Sequence, residues 1–194
     1  MNHPAPAPTP SRLEPFALRD APALIEAVFP AQKVSFEAQR ERKAGAGQTL
    51  TALGSYWKGR KPLILVRAIL LGSLLPRTDD PEKDLEIFEQ LMAFDEAGLA
   101  RREAKLKPAD IAERVALAQP WRWFSHSLKG DAHTAGEIDR LQFPIDLADY
   151  PGLSLRWRRD IDPADKLRLL AEALATFPTY EERAGLCKRP EELD

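Results

Sequence analysis

The longest apolar run of the chain is Leu63-Ile64-Leu65-Val66-Arg67-Ala68-Ile69-Leu70-Leu71, continued by Leu74-Leu75. Apolar almost all round, it has the pattern of a helix buried on most faces. Pro62 stands where a helix opens, because a missing N–H lacks a partner there anyway. The run is shorter than the roughly 20 apolar residues of a membrane span, and Arg67 interrupts it. A central core helix over about Lys61 to Leu75 is therefore expected.

Amphipathic segments surround it. Leu24 to Phe29 reads as a short helix stopped by Pro30, with Asp20 and Pro22 as its start signal. A charged helix opens at Ser35-Phe36-Glu37-Ala38 and runs from Gln39 to Ala44, where Gly45-Ala-Gly47 breaks it. Thr78-Asp79-Asp80-Pro81 is a capping start signal, and Leu85, Phe88, Leu91, Met92 and Phe94 follow at helical spacing. Further helices are expected over Glu96 to Lys105, from Lys107-Pro108 to about Ala118, from Asp162-Pro163 to Phe177, and from Pro178-Thr179 onward.

Between Pro120 and Asp162 the helical period fails. Only Leu153-Ser-Leu155-Arg-Trp157-Arg alternates as a strand does. The expected class is mainly α: an irregular multi-helix domain around the central helix, with a small irregular or short-strand insertion. The expected organisation is a Pro-rich, polyproline-like tail over 1–19, a helical domain over 20–119, the insertion over 120–162 and C-terminal helices over 163–194.

Composition adds few constraints. The chain has 194 residues, 44% apolar and 30% charged, with a net charge of -2. That excludes a uniformly basic nucleic-acid binder but leaves room for a local basic patch. A single cysteine, Cys187, offers no disulfide framework and no Cys-based metal site. The N-terminus lacks the pattern of a secretory signal, so a reducing cytoplasm is the expected compartment, without membrane insertion.

Catalytic motifs are hard to find. No nucleophile elbow, phosphate-binding loop or His-Glu-x-x-His occurs, and Gly45-Ala-Gly47 lacks a third glycine for a dinucleotide site. His126, Asp131 and His133, with Glu137 or Asp139, are close enough in sequence to raise a metal, but solvated loop histidines are the more economical reading. The basic-aromatic material is more informative. Lys33 to Arg67 holds eight cations against two acids. Phosphates favour such a concentration, and Trp57 is suited to stack on a base. The candidate nucleic-acid contacts are Arg40, Arg42, Lys43, Trp57, Lys58, Arg60 and Lys61, with the positive N-terminus of the central helix behind them. Arg67 inside an apolar helix must either emerge on a polar face or pair with Glu26, Glu37 or Glu41, because an unpaired buried charge is costly. Arg156-Trp157-Arg158-Arg159 repeats the aromatic-plus-cation theme more weakly.

Several of these residues form a recognisable set: Leu24-Ile25-Glu26, Pro30, Val34-Ser35, Arg40-Glu41, Thr49-Leu50, Tyr56-Trp57-Lys58-Gly59-Arg60-Lys61-Pro62-Leu63, Arg67-Ala68 and Leu74-Leu75-Pro76. The set resembles the N-terminal domain of unknown function, number eleven fifty-six, of bacterial DNA methyltransferase-like proteins associated with phage defence. That family's core motif reads roughly Trp-Trp-Ala-Arg-Arg-Pro-Leu followed by Arg-Ala. Here Tyr56-Trp57 stands for the aromatic pair and Arg60-Lys61-Pro62-Leu63 for the basic step, with one extra residue between them. Gly54 stands where the family usually has a histidine. The resemblance covers residues 20–78, and more loosely Thr179 to Leu193. It implies a helical, non-catalytic module in front of a domain that methylates a DNA base from S-adenosylmethionine. Neither that domain's glycine-rich cofactor loop nor its Asn/Asp-Pro-Pro-Tyr-type motif occurs in this sequence. The expected function is thus to position DNA for the methyltransferase. The alternative is a scaffold that packs on the catalytic domain without touching DNA. The implied partners are DNA, the downstream methyltransferase domain, and helicase or ATPase components of a defence cluster.

Overall fold

A computed structural model describes residues 22–43 and 62–190, with the side chain of Lys43 outside it. Asp20, Trp57, Lys58, Arg60 and Lys61 also lie outside the described residues. The chain is mainly α with a small two-stranded sheet, the class its periodicities predict. No helix among the described residues is long and apolar enough to cross a membrane.

The helices are α1 (Ala31–Lys43), α2 (Leu63–Leu74), α3 (Pro81–Leu91), α4 (Glu96–Arg101), α5 (Pro108–Ala112), α6 (Ala135–Ile138), α7 (Pro163–Ala175) and α8 (Tyr180–Gly185). Most start where the capping chemistry says they should. Asp80 accepts from the N–H of Lys83, and Asp162 from those of Ala164 and Asp165, each with a proline in the first turn. Thr179 and Glu182 cap α8 reciprocally. The ends and two of the starts differ from expectation. The helix expected at Leu24 is a single 3-10 turn, Leu24–Glu26, held by an N–H···O bond from Leu24 to Leu75. Helix α1 begins at Ala31, directly after Pro30, rather than at Ser35. The expected helix from Lys107 to Ala118 stops at Ala112, because the chain then turns to bridge Leu117 to Phe143.

The segment expected to be irregular contains the sheet. Strand β2 (Leu153–Trp157) was legible, and it pairs antiparallel with β1 (Phe124–Leu128), which was not. Phe124, His126 and Leu128 alternate with Ser125 and Ser127, so the period of two is present but is short and half polar. Gly152 closes the ribbon at φ +86, where a Cβ would lie 2.0 Å from the Lys129 carbonyl oxygen. The segment is integral to the fold: Phe124, Ile138 and Phe143 are buried, and Phe124 and Phe143 join the same core as Phe88, Leu99, Ile111 and Leu174.

The largest departure concerns the central helix. Helix α2 buries only Ile64, Ala68 and Gly72, a stripe at four-residue spacing. Gly72 receives Ile25 of the 3-10 turn, whose Cβ sits 3.1 Å from where a Cβ on Gly72 would stand. On the far side Leu63, Val66, Ile69, Leu70 and Leu74 are exposed, Leu70 and Leu74 by 56% and 59%. An apolar composition all round therefore did not mean burial all round. Helix α1 and the turn pack on one side of α2, while the other side stays largely exposed among the described residues.

Candidate functional site

Two structural features bear on function: a buried polar pin that holds the helices together, and the apolar face that α2 turns outward. Glu37 on α1 is wholly buried and accepts three hydrogen bonds. They come from Arg102 Nη2 at 2.7 Å, from the Tyr180 hydroxyl at 2.8 Å and from Arg40 Nη1 at 3.0 Å. Arg102 is equally buried, and its remaining nitrogens donate to the carbonyls of Lys188 and Ala93. Burial opposes the guanidinium's charge, but Glu37's carboxylate outweighs it and holds Arg102 above its ordinary pKa. Burial, reinforced by Glu37, raises the Tyr180 hydroxyl, and burial pushes the Cys187 thiol up to about 11. A proton-transfer site needs a group poised near working pH and open to substrate. This cluster is closed and fully bonded, which is the chemistry of a structural pin.

The pin decides the place of one candidate DNA contact. Arg40 is held by Glu37 and donates through Nη2 to the Cys187 carbonyl at 2.8 Å. Lys33, in the same basic stretch, pairs with Glu89 at 2.5 Å. Arg42 is exposed and forms no ion pair among the described residues. The helix mouth is also occupied. Glu41 reaches from α1 to the start of α2 and accepts from the N–H groups of Leu63 (2.9 Å) and Ile64 (3.2 Å). The positive end of α2, expected to face phosphate, already holds a carboxylate of its own chain. Arg67 meets none of its three expected acids. It lies exposed and donates to the Leu91 carbonyl at the end of α3, 2.8 Å away, where a cation suits the helix dipole. Its helix is half exposed, so it needs no buried counter-ion.

That bond places the end of α3 beside α2. Leu63, Val66, Leu70 and Leu74 recur at i, i+3, i+7 and i+11, a stripe on the side opposite Ile64, Ala68 and Gly72. Ile87 and Leu91 of α3 are exposed as well, by 41% and 43%. The sequence contained the signal, since α2 has too many apolar positions for one face, but only the packing shows which of them stay outside.

The metal candidates do not converge. His126 Nε2 bonds Asp139 Oδ1 at 2.9 Å, and its ring lies on Trp121 with centroids 4.5 Å apart. His133 Nε2 instead bonds the Asp149 carbonyl oxygen at 2.9 Å and packs on Tyr150. Among the described residues no three His, Cys, Asp or Glu side chains form a group able to hold a metal.

These features define a mainly α module with an integral polar pin and an uncovered apolar helix face, and no constellation of catalytic groups among the described residues. Residues 28–91, the part that contains α1, α2 and α3, match the family model described as Protein of unknown function (DUF1156). No curated protein and no solved structure matches the chain significantly.

Proposed function

We propose that the chain is a non-catalytic assembly module of a bacterial S-adenosylmethionine-dependent DNA methyltransferase in a phage-defence system, and that α2 packs on the catalytic domain. The observation that carries this reading is the stripe Leu63, Val66, Leu70 and Leu74. Its spacing is that of a helix seam, which accepts an apolar helix face of a partner. Ile87, Leu91 and the exposed Arg67 widen it on one side. Exposed apolar patches of this kind mark interaction surfaces. On this reading S-adenosylmethionine is bound by the catalytic domain that α2 packs on. The test is co-purification with the methyltransferase domain. Leu70→Glu with Leu74→Glu abolishes it on this reading, and retention of the partner by that variant would remove the idea.

A second reading keeps the module as a DNA-positioning element, alone or together with the first. The observation in its favour is the exposed Arg42 on α1, beside Lys43 in sequence and within the basic stretch Lys33 to Arg67. Trp57, Lys58, Arg60 and Lys61, outside the described residues, supply the remaining charge and the stacking ring. Salt-dependent DNA binding by the isolated chain tests it. Binding unchanged by Arg60→Ala plus Lys61→Ala counts against it.

A further inference from the structure

A groove of about 420 Å³ lies between α4, α7 and the end of β2, remote in sequence from the α2 face. Its apolar wall is built by Leu106, Leu170, Leu167 and Trp157. Leu106 and Leu170 are nearly closed off, while Leu167 remains 37% exposed at the rim. Two cations, Arg101 and Lys166, stand beside this apolar surface. Neither forms an ion pair with a described residue: the salt bridges of the described residues involve other partners. The groove's one acid, Glu103, is neutralised by Lys188 at 2.7 Å. The acids at the start of α7, the N-cap Asp162 and Asp165, line a different cleft, beside Arg122 and Arg158. The groove is therefore apolar inside and positive at its edge.

We propose that this groove docks an acidic peptide segment of a partner protein, with an aliphatic anchor seated against Leu106, Leu167 and Leu170 and flanking carboxylates on Arg101 and Lys166. Charge complementarity selects an anion. The state of the tryptophan selects a peptide over a nucleic acid. Trp157 has the Phe124 ring beside it, centroids 4.8 Å apart, and the Lys166 ammonium over its ring at 5.0 Å, so its ring is already engaged by its own chain. The remaining wall is aliphatic, which suits a leucine-sized side chain. This inference stands apart from the assembly reading of α2, because it uses other elements and other chemistry.

Fluorescence anisotropy on the full chain tests it, with a fluorescein-labelled peptide Glu-Asp-Leu-Glu-Leu-Asp as the probe. Saturable binding is expected, weakening as salt rises. Arg101→Glu with Lys166→Glu should lower affinity about tenfold, the scale of losing and reversing two exposed ion pairs. Leu167→Asp should lower it as well. All three side chains are at least partly exposed, and an unchanged urea midpoint confirms that the variants fold. The proposal falls if the peptide does not bind, or if the charge reversals leave affinity unchanged. It also falls if a labelled oligothymidylate binds in place of the peptide, or if the peptide is displaced by self-association of the chain. Tighter binding after Glu191→Lys, Glu192→Lys and Leu193→Ala would assign the groove to the chain's own acidic end and overturn it too.

Discussion

The buried contact among Glu37, Arg102 and Tyr180 ties α1, the end of α4 and the start of α8 across separations of 65 and 143 residues. Glu37→Ala removes the carboxylate and leaves the Arg102 guanidinium, fully enclosed, without its counter-charge. Breaking one side of a buried pair costs about 3–5 kcal/mol, a large part of the 5–15 kcal/mol that holds a typical domain folded. With a urea slope of about 2 kcal/mol/M, the midpoint should fall by roughly 1.5–2.5 M. Arg102→Ala should cost a similar amount. The double variant Glu37→Met with Arg102→Met should lose less than the sum of the two single changes, since no charge is then stranded in the core. Urea unfolding followed by far-ultraviolet circular dichroism measures all of these. A Glu37→Ala midpoint within about 0.5 M of the parent's, which is about 1 kcal/mol, would refute the assignment of the pin as structural.

Four further outcomes follow from the same geometry. Leu70→Glu with Leu74→Glu should change the unfolding free energy by no more than about 0.5 kcal/mol per site, because both side chains are more than half exposed. Light scattering should show less self-association in the same variant. Glu41→Ala should cost about 0.5–2 kcal/mol by uncapping α2, and if the basic stretch binds DNA it should raise affinity in a salt titration, since the helix mouth becomes free for phosphate. Gly152→Ala should destabilise far more than Gly136→Ala, because its Cβ meets the Lys129 carbonyl while Gly136 faces open space; thermal melts compare the two. The raised Cys187 and Tyr180 groups predict an alkaline limit. Both are held protonated in the folded chain and release their protons more readily when it unfolds, so the unfolded state binds fewer protons at high pH. Stability should be insensitive to the thiol below pH 9.0 and fall between that value and about 11, and iodoacetamide should label native Cys187 slowly at pH 8.

The helix starts were legible because a start is local chemistry. Asp80, Asp162 and Thr179 meet N–H groups within three residues of themselves, and behind Asp80 and Asp162 a proline in the first turn marks the same start. Strand β2 was legible for the same reason, as a run of alternating residues between turn signals. Its partner β1 was not, because a strand of five residues with two serines and a histidine acquires its meaning from the strand opposite. The ends of helices were poorly legible too: α5 stops where the chain turns to reach Phe143, and nothing near Ala112 announces that.

The candidate site divides along the same line. Composition determined that Lys33 to Arg67 is positive and that α2 is apolar, since both are sums over residues. Only the tertiary structure decided what those properties are used for. It drew Arg40 into the Glu37 pin, set Glu41 on the helix mouth, and gave Arg67 a carbonyl in place of an acid. It also divided α2 into a buried stripe and an exposed one. Burial and pairing depend on which elements arrive from far along the chain, and Arg102 and Tyr180 reach Glu37 from 65 and 143 residues away. A pattern read along the sequence carries no record of such an arrival.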